Sequence, residues 1–292
     1  MENNLIFNKE RSIKACIADG WRIFALNRGI YLKNIWIYLL LAGFTGAFLF
    51  ELGLRYTCDR FLPAYRLTEI NSNPELVKLI AMPTLSEVVY LLLAFILFIV
   101  TLYCCYGRMW QIMKHFSAEN QIRRLPLHFS HDERNFAFRM FVINMLFTIA
   151  CFILTALITA AALKWNQWIA VMLLPLFIYT ACTVCVCEIR YVLKKASLKK
   201  SLVYGLKHSM GIPFIIRFIT FVPTAAVYVV CSMPPIVYAL SEWAGHNSIL
   251  MGDTSGLPTF LPILFFVINT ICMAISIWCA TVRTWTLVLK VG

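Results

Sequence analysis

The feature that most constrains the fold of this chain is a series of long apolar stretches. They lie at about 35–54, 87–106, 140–163, 168–187, 214–240 and 259–281. Each is about 20 or more residues long, enough for a helix to cross a hydrocarbon core of roughly 30 Å. A lipid-exposed backbone must satisfy its hydrogen bonds internally, so helices are expected. The sequence therefore predicts an all-α polytopic membrane protein with six transmembrane helices.

The composition and the loop lengths favour a single membrane domain that spans residues 1–292. The chain is 61% hydrophobic and 14% charged, whereas soluble domains are about 25% charged. The connecting segments do not exceed about 35 residues, which leaves no room for a soluble catalytic domain between the spans. The apolar runs are continuous, unlike the short alternating segments of transmembrane β-barrels.

Positive charge is distributed unevenly between alternate connecting segments. Of the 26 Lys and Arg residues, 21 lie in the N-terminal segment, the second and fourth loops with their flanks, and the C-terminal tail. Cytoplasmic loops carry the excess of Lys and Arg in membrane proteins. We therefore expect a bacterial cytoplasmic (inner) membrane protein with both termini in the cytoplasm. The net charge of +12 favours anionic lipid headgroups as partners rather than nucleic acid, because it is confined to short segments beside the spans.

The segment before the first span has the pattern of an amphipathic helix. Ser12 is a suitable N-cap, and apolar residues recur after it at helical spacing, with basic residues on another face. The apolar residues are Ile13, Cys16, Ile17, Gly20, Trp21 and Phe24. This pattern predicts a helix within residues 1–34 that lies in the inner membrane interface.

A similar segment precedes the fifth span. Residues 12–22 align with residues 197–207 at a constant offset of 185, with identical serine, lysine and glycine positions. The alternative is a coincidence between two basic amphipathic helices. If the similarity is a repeat, the chain consists of three units, each an interfacial helix followed by two spans. The residues expected to contact lipid or a partner protein are Lys14, Gly20, Arg22, Lys199, Gly205 and Lys207.

The Gly-Trp-Arg and Gly-Leu-Lys cores of these two segments carry a resemblance to a known group. A basic amphipathic segment of this kind before paired spans resembles poorly characterised bacterial six-helix proteins near the membrane-domain family of glycerophosphodiester phosphodiesterases. The resemblance covers two windows of 11 residues. It implies the six-helix architecture and no catalytic residues.

Polar residues within the spans are few. Asn144, Asn269 and the kink-forming Pro223 are candidates for a cavity between the helices, although asparagines in spans more often hydrogen-bond neighbouring helices. Glu51, Glu87 and Arg217 lie near the ends of spans, where charged groups reach the interface.

Metal-binding candidates are weak. His128 and His131, followed by two carboxylates, are the best of them, but the same pattern is typical of a polar helix start with acidic residues in its first turn. The Cys182-x-x-Cys185-x-Cys187 pattern does not place three thiols on one helical face and favours packing residues. We therefore expect no cofactor.

These observations favour a non-enzymatic integral membrane protein, a scaffold or accessory factor in envelope or lipid homeostasis. The alternative is a small transporter or channel for an apolar or amphipathic solute. Enzyme activity is the third hypothesis, because only the stretch from His128 to Glu133 offers chemistry.

Overall fold

The structure is a computed structural model that describes residues 12–69, 73–119, 124–126, 128, 130–193, 196–252 and 261–291. These residues form α-helices with short π- and 3-10-helical segments and no strand, which confirms the all-α prediction for the described part of the chain. The α-helices are α1 (Ile13–Tyr56), α2 (Leu62–Glu69), α3 (Pro74–Ala81), α4 (Leu85–Glu119), α5 (His131–Lys164), α6 (Leu173–Glu188), α7 (Leu198–His208), α8 (Ile212–Leu250) and α9 (Leu261–Val291).

Six of the helical segments are long and apolar enough to cross a membrane. They are Asn27–Thr68, Leu85–Ile112, His131–Ala162, Trp168–Tyr191, Ile212–Leu250 and Pro262–Arg283. Each overlaps one of the six apolar stretches of the sequence. Between 6% and 44% of the most apolar window of each segment is buried, so apolar side chains face outward, as in a protein surrounded by lipid tails. The chain is a multi-pass membrane protein.

The first helix corrects one prediction. Ser12 Oγ accepts a hydrogen bond from Ala15 N at 3.2 Å, so the helix begins at the expected N-cap. However, α1 continues for 44 residues without the expected division between an interfacial helix in 1–34 and a first span. No proline lies between Ile13 and Tyr56, so nothing in this segment removes a donor from the helical ladder. Residues 1–11 lie outside the described residues.

Two compact units form within the chain, a finer division than the single domain that the sequence predicts. The first consists of Met1–Trp36, Tyr103–Thr224 and Ala280–Gly292, and the second of Ile37–Leu102 and Ala225–Cys279.

Side-chain bonds to neighbouring segments hold the first unit together. Asn34 Oδ1 accepts a hydrogen bond from Leu125 N at 3.0 Å. Arg108 of α4 forms an ion pair with Glu133 of α5, and both side chains are buried. Arg108 also donates to the carbonyl of Pro126. Since a buried charge is costly without a partner, this pair fixes α4 beside the start of α5.

Close helix packing defines the second unit. A Cβ atom on Gly43 of α1 would lie 2.4 Å from the carbonyl oxygen of Thr270 in α9, so only glycine allows this approach. Small residues serve the same purpose at many helix contacts in membranes. Thr45 of α1 and Thr101 of α4 share a hydrogen bond of 2.7 Å, and Tyr238 of α8 stacks on Phe265 of α9 with ring centroids 5.0 Å apart.

Candidate functional site

Helix α7 is fixed on α6 along one narrow face. Ser201 and Gly205, one turn apart, are buried. A Cβ atom on Gly205 would lie 2.2 Å from Cys187 Sγ and 3.2 Å from the carbonyl oxygen of Thr183. Gly205 therefore lies at the contact of α7 with α6, which differs from the lipid-contact role expected of it. The two backbones approach so closely because Gly205 has no side chain.

Further bonds join α7 to the end of α6 and the residues after it. Tyr179 Oη donates a hydrogen bond of 2.9 Å to the carbonyl of Leu206, and Cys187 Sγ donates to the carbonyl of Ser201 at 3.4 Å. The guanidinium carbon of Arg190 lies 4.1 Å from the centroid of the Tyr204 ring, within the range of a cation–π interaction. These contacts hold α7 in one orientation about its axis.

The opposite face of α7 is basic and apolar at once. Lys199, Lys200 and Lys207 are exposed. Val203 and Leu206, between them in sequence, are 45% and 49% exposed. Helices that lie at a lipid headgroup boundary typically carry lysine ammonium groups beside exposed aliphatic side chains. We call these five residues the α7 face.

The aligned segment in α1 is helical as well. Lys14 and Arg22 are exposed, as is Trp21 at 38%. Gly20 lies within α1, and its surroundings are outside the described part of the structure. Unlike α7, which a turn at Ser209–Gly211 separates from α8, this segment is continuous with its span.

Asn144 of α5 bonds to a buried carboxylate that the sequence analysis did not single out. Its Nδ2 donates to Glu188 Oε1 at the end of α6, and Glu188 is only 7% exposed. Asn144 Nδ2 also donates to the carbonyl of Met140 at 2.9 Å. The only sequence signal for this contact was a glutamate directly after the apolar run of α6.

The cysteine pattern of α6 is internal packing. Cys182, Cys185 and Cys187 are free thiols and are buried. Arg217 of α8 lies near this part of α6, where its Nη1 donates a hydrogen bond of 3.0 Å to the carbonyl of Ala181. Among the described residues, no group of three or more His, Cys, Asp and Glu side chains is arranged to hold a metal ion.

The histidine candidates lie at the start of α5, where the polar residues serve to begin the helix. Ser130 Oγ accepts from Glu133 N at 3.2 Å, and Glu133 Oε2 accepts from Ser130 N at 2.6 Å. This reciprocal pair is a capping box, and it leaves both Glu133 oxygens engaged, since Oε1 bonds Arg108. His131 Nδ1 lies 3.1 Å from Asn135 Nδ2, and His128 is exposed.

The charged residues near the span ends form ion pairs within the second unit. Arg55 Nε lies 3.1 Å from Glu51 Oε1, and Arg60 Nε lies 3.1 Å from Glu87 Oε1. Tyr238 Oη donates to Glu51 Oε1 at 3.4 Å. Each carboxylate therefore has a cationic partner.

A cavity of about 170 Å³ lies in the second unit, among α1, α8 and α9. Its wall is largely aliphatic, aromatic and sulfur-containing, and it includes Asn269. Neither Asn144 nor Pro223 is among the described residues that line it. Asn269 is 4% exposed, and its Oδ1 has no hydrogen-bond partner among the described residues. Of the three residues expected at a cavity, only Asn269 lies at this one.

No protein-family model, curated protein or solved structure matches this chain. The resemblance to the membrane-domain family of glycerophosphodiester phosphodiesterases therefore stays a prediction.

Proposed function

We propose that this protein is a non-enzymatic scaffold or accessory factor in envelope or lipid homeostasis, which binds anionic lipid headgroups through the α7 face. The observation that carries this proposal is the fixed orientation of α7. Because Ser201 and Gly205 are buried against α6, the three exposed lysines of α7 are held outward together with Val203 and Leu206.

Charge and apolar area act together at such a surface. Each Lys or Arg close to an anionic membrane surface contributes about 1 kcal/mol of attraction. The exposed aliphatic side chains would enter the headgroup boundary while the lysine stems extend toward the phosphates. A helix already fixed in orientation loses less conformational entropy on binding than a free amphipathic segment does.

The proposed setting is the bacterial cytoplasmic membrane, with both termini in the cytoplasm. The charge distribution of the sequence supports this orientation, since α7 and the aligned residues 12–22 belong to the lysine- and arginine-rich segments. We further propose that these two segments are copies of one ancestral unit and that Lys14 and Arg22 contact the same class of lipid. Their exposure supports this role.

Transport of an apolar or amphipathic solute has less support. The transport hypothesis predicts a cavity shared by Asn144, Asn269 and Pro223. However, Asn144 is hydrogen-bonded to Glu188, and Pro223 is exposed. The bond to Glu188 is a sufficient role for Asn144, and Pro223 does not line the cavity at Asn269.

Lipid binding by the α7 face is tested by exchanging its charges. The protein and a Lys199→Gln/Lys200→Gln/Lys207→Gln variant are purified in a mild detergent and offered equal amounts of phosphatidylglycerol and phosphatidylcholine. Native mass spectrometry then counts the bound lipids of each type. We expect the parent to prefer phosphatidylglycerol and the variant to lose most of that preference, roughly a hundredfold in affinity for the about 3 kcal/mol of attraction that three lysines contribute.

Lys164→Gln is the matched control, because Lys164 is also exposed but lies at the end of α5. It should keep the preference of the parent. An unchanged preference in the triple variant would contradict the proposal.

A further inference from the structure

Large apolar side chains are exposed in the connection between the first two spans. The exposed fraction is 45% at Leu76 and 70% at Leu79 of α3, 64% at Met82 after it, and 82% at Leu85, where α4 begins. Leu76 and Leu79 are three residues apart and therefore lie on the same side of α3. The helix packs against α2, and this side remains outward. Exposed apolar patches of this kind mark interaction surfaces, and we call these four residues the α3 rim.

Hydrogen bonds fix the turn that carries the α3 rim. Tyr56 Oη donates to the carbonyl of Ala81 at 2.9 Å, which ties the end of α3 to the end of α1. Thr84 N donates to Glu87 Oε2 at 2.7 Å in the first turn of α4. Arg60 Nε lies 3.1 Å from Glu87 Oε1, so the start of α4 is tied to the residues that follow α1. The α3 rim is therefore held beside the ends of both spans.

The α3 rim continues into a surface that faces lipid. After Leu85, exposed apolar residues recur at i+4, i+7, i+8 and i+11, which is the spacing of one helical face. They are Val89, Leu92, Leu93 and Ile96, each at least 44% exposed. This face belongs to the membrane-spanning segment Leu85–Ile112. Met82 precedes Leu85 by three residues, which cover at most about 11 Å of extended chain, so the rim and the lipid-facing side of α4 are neighbours.

The charged groups beside the α3 rim balance one another. Helix α3 contains one acidic and one basic residue, Glu75 and Lys78. The guanidinium of Arg60 is paired with the carboxylate of Glu87. Helix α7, in contrast, contains three lysines and no acidic residue. Attraction to anionic headgroups therefore contributes little at the rim, and the removal of apolar area from water is the driving force for contact with lipid.

We propose that the α3 rim is an interfacial anchor, whose four apolar side chains are embedded in the boundary between lipid headgroups and acyl chains, in neutral as well as anionic lipid. Amphipathic helices of this kind bury their apolar side about 5–10 Å into that boundary. The anchor sets the depth of α1 and α4 in the bilayer, because hydrogen bonds and an ion pair join this connection to both helices. The α3 rim and the α7 face are separate surfaces, so either proposal can fail without the other.

Spin labels on single introduced cysteines measure this depth. The full chain is reconstituted in nanodiscs of phosphatidylcholine alone, and Leu79→Cys carries the label on the rim. Leu93→Cys, on the lipid-facing side of α4, is the reference for lipid. Ser248→Cys, exposed in the last turn of α8, is the reference for water. Power saturation gives the collision rate of each label with oxygen, which concentrates in lipid, and with a water-soluble nickel chelate.

We expect the ratio of oxygen to nickel collisions at Leu79→Cys to be several-fold higher than at Ser248→Cys and to approach that at Leu93→Cys. Because Ser248→Cys carries the same label, the apolarity of the label does not account for the difference. Met82→Cys is a second position on the rim and should agree with Leu79→Cys. Replacement of half of the phosphatidylcholine by phosphatidylglycerol should leave the ratios unchanged. The unsubstituted chain gives the background labelling.

A ratio at both rim positions equal to that at Ser248→Cys would place the rim in water and overturn the proposal. Low collision rates with both reagents would show that protein, such as a second copy of the chain, covers the rim, and would overturn it as well. A high ratio that requires phosphatidylglycerol would contradict an anchor that is independent of headgroup charge.

Discussion

Gly205 is the residue on which the orientation of α7 depends. Gly205→Ala would put a methyl group 2.2 Å from Cys187 Sγ and 3.2 Å from a backbone carbonyl, so α7 or α6 would have to move. Overpacking of this kind costs about 1–3 kcal/mol. We expect a lower unfolding temperature in detergent and a weaker preference for anionic lipid in the native mass spectrum.

Two further variants separate crowding from other effects of the substitution. Gly29→Ala is the control, since a Cβ there meets nothing within 4 Å, and it should be neutral or stabilising by about 1 kcal/mol through helix propensity. Adding Cys187→Ala to Gly205→Ala removes the closest atom and should recover part of the stability. A Gly205→Ala protein as stable as the parent would show that the close approach is not required.

The contrast between Asn144 and Glu188 shows what single residues disclose in a sequence. An asparagine in an apolar run is conspicuous, and the sequence favours a hydrogen bond to a neighbouring helix for Asn144. The bond to Glu188 of α6 agrees with this expectation. Glu188 was not recognised because it stands at the edge of the run. Its burial depends on the packing of α5 against α6, and the sequence of one helix does not specify that contact. Gly205 was singled out because it aligns with Gly20, and its contact with Cys187 is likewise a product of tertiary packing.

The starts of α5 and α7 differ in how much their N-cap residues contribute to the free energy of unfolding. Ser130 Oγ accepts a hydrogen bond from Glu133 N at 3.2 Å, whereas Ser197 at the start of α7 makes no such bond with its side chain. Loss of an N-cap acceptor costs about 1 kcal/mol. Ser130→Ala should therefore lower the free energy of unfolding by about that amount, and Ser197→Ala by clearly less.

Chemical denaturation in mixed micelles, followed by far-ultraviolet circular dichroism, measures both variants against the parent. Equal losses in the two would contradict the conclusion that a capping interaction stabilises the start of α5 but not that of α7. The sequence pattern Ser130-His131-Asp132-Glu133 contained this information, and it favoured a helix start over a metal site for the same residues.

The number of spans was predictable from the sequence because the length of an apolar run is a local property. Whether two helical segments join is harder to predict. The sequence predicts a helix within residues 1–34 and a span from about residue 35, but it does not indicate that α1 runs through both without a break. The grouping of helices into two units depends on contacts between residues far apart in sequence, and no local pattern indicates it. The cavity at Asn269 has the same origin.

The charge distribution predicts the orientation of the molecule in the membrane, and this prediction can be tested with single exposed cysteines. The native Cys58 follows the first apolar stretch, on the side that the charge distribution predicts to be outside, but it is only 2% exposed, so it is a poor reporter. Ser248 and Ala18 are both exposed and are expected on opposite sides of the membrane. In intact cells, a membrane-impermeant maleimide should label Ser248→Cys, while Ala18→Cys should react only after the membrane is permeabilised.

The comparison of the two positions also tests the span count. If both termini are in the cytoplasm, an even number of spans lies between Ala18 and the C-terminus. Five spans lie between Ala18 and Ser248, because α8 contains the fifth span. An odd number of crossings places the two positions on opposite sides of the membrane. The parent chain, whose described cysteines are buried or partly buried, gives the background labelling. The reverse pattern would mean that the basic segments, including the α7 face, are outside, and lipid binding at the cytoplasmic surface would then be ruled out. Labelling of both positions in intact cells would instead contradict the odd number of crossings between them.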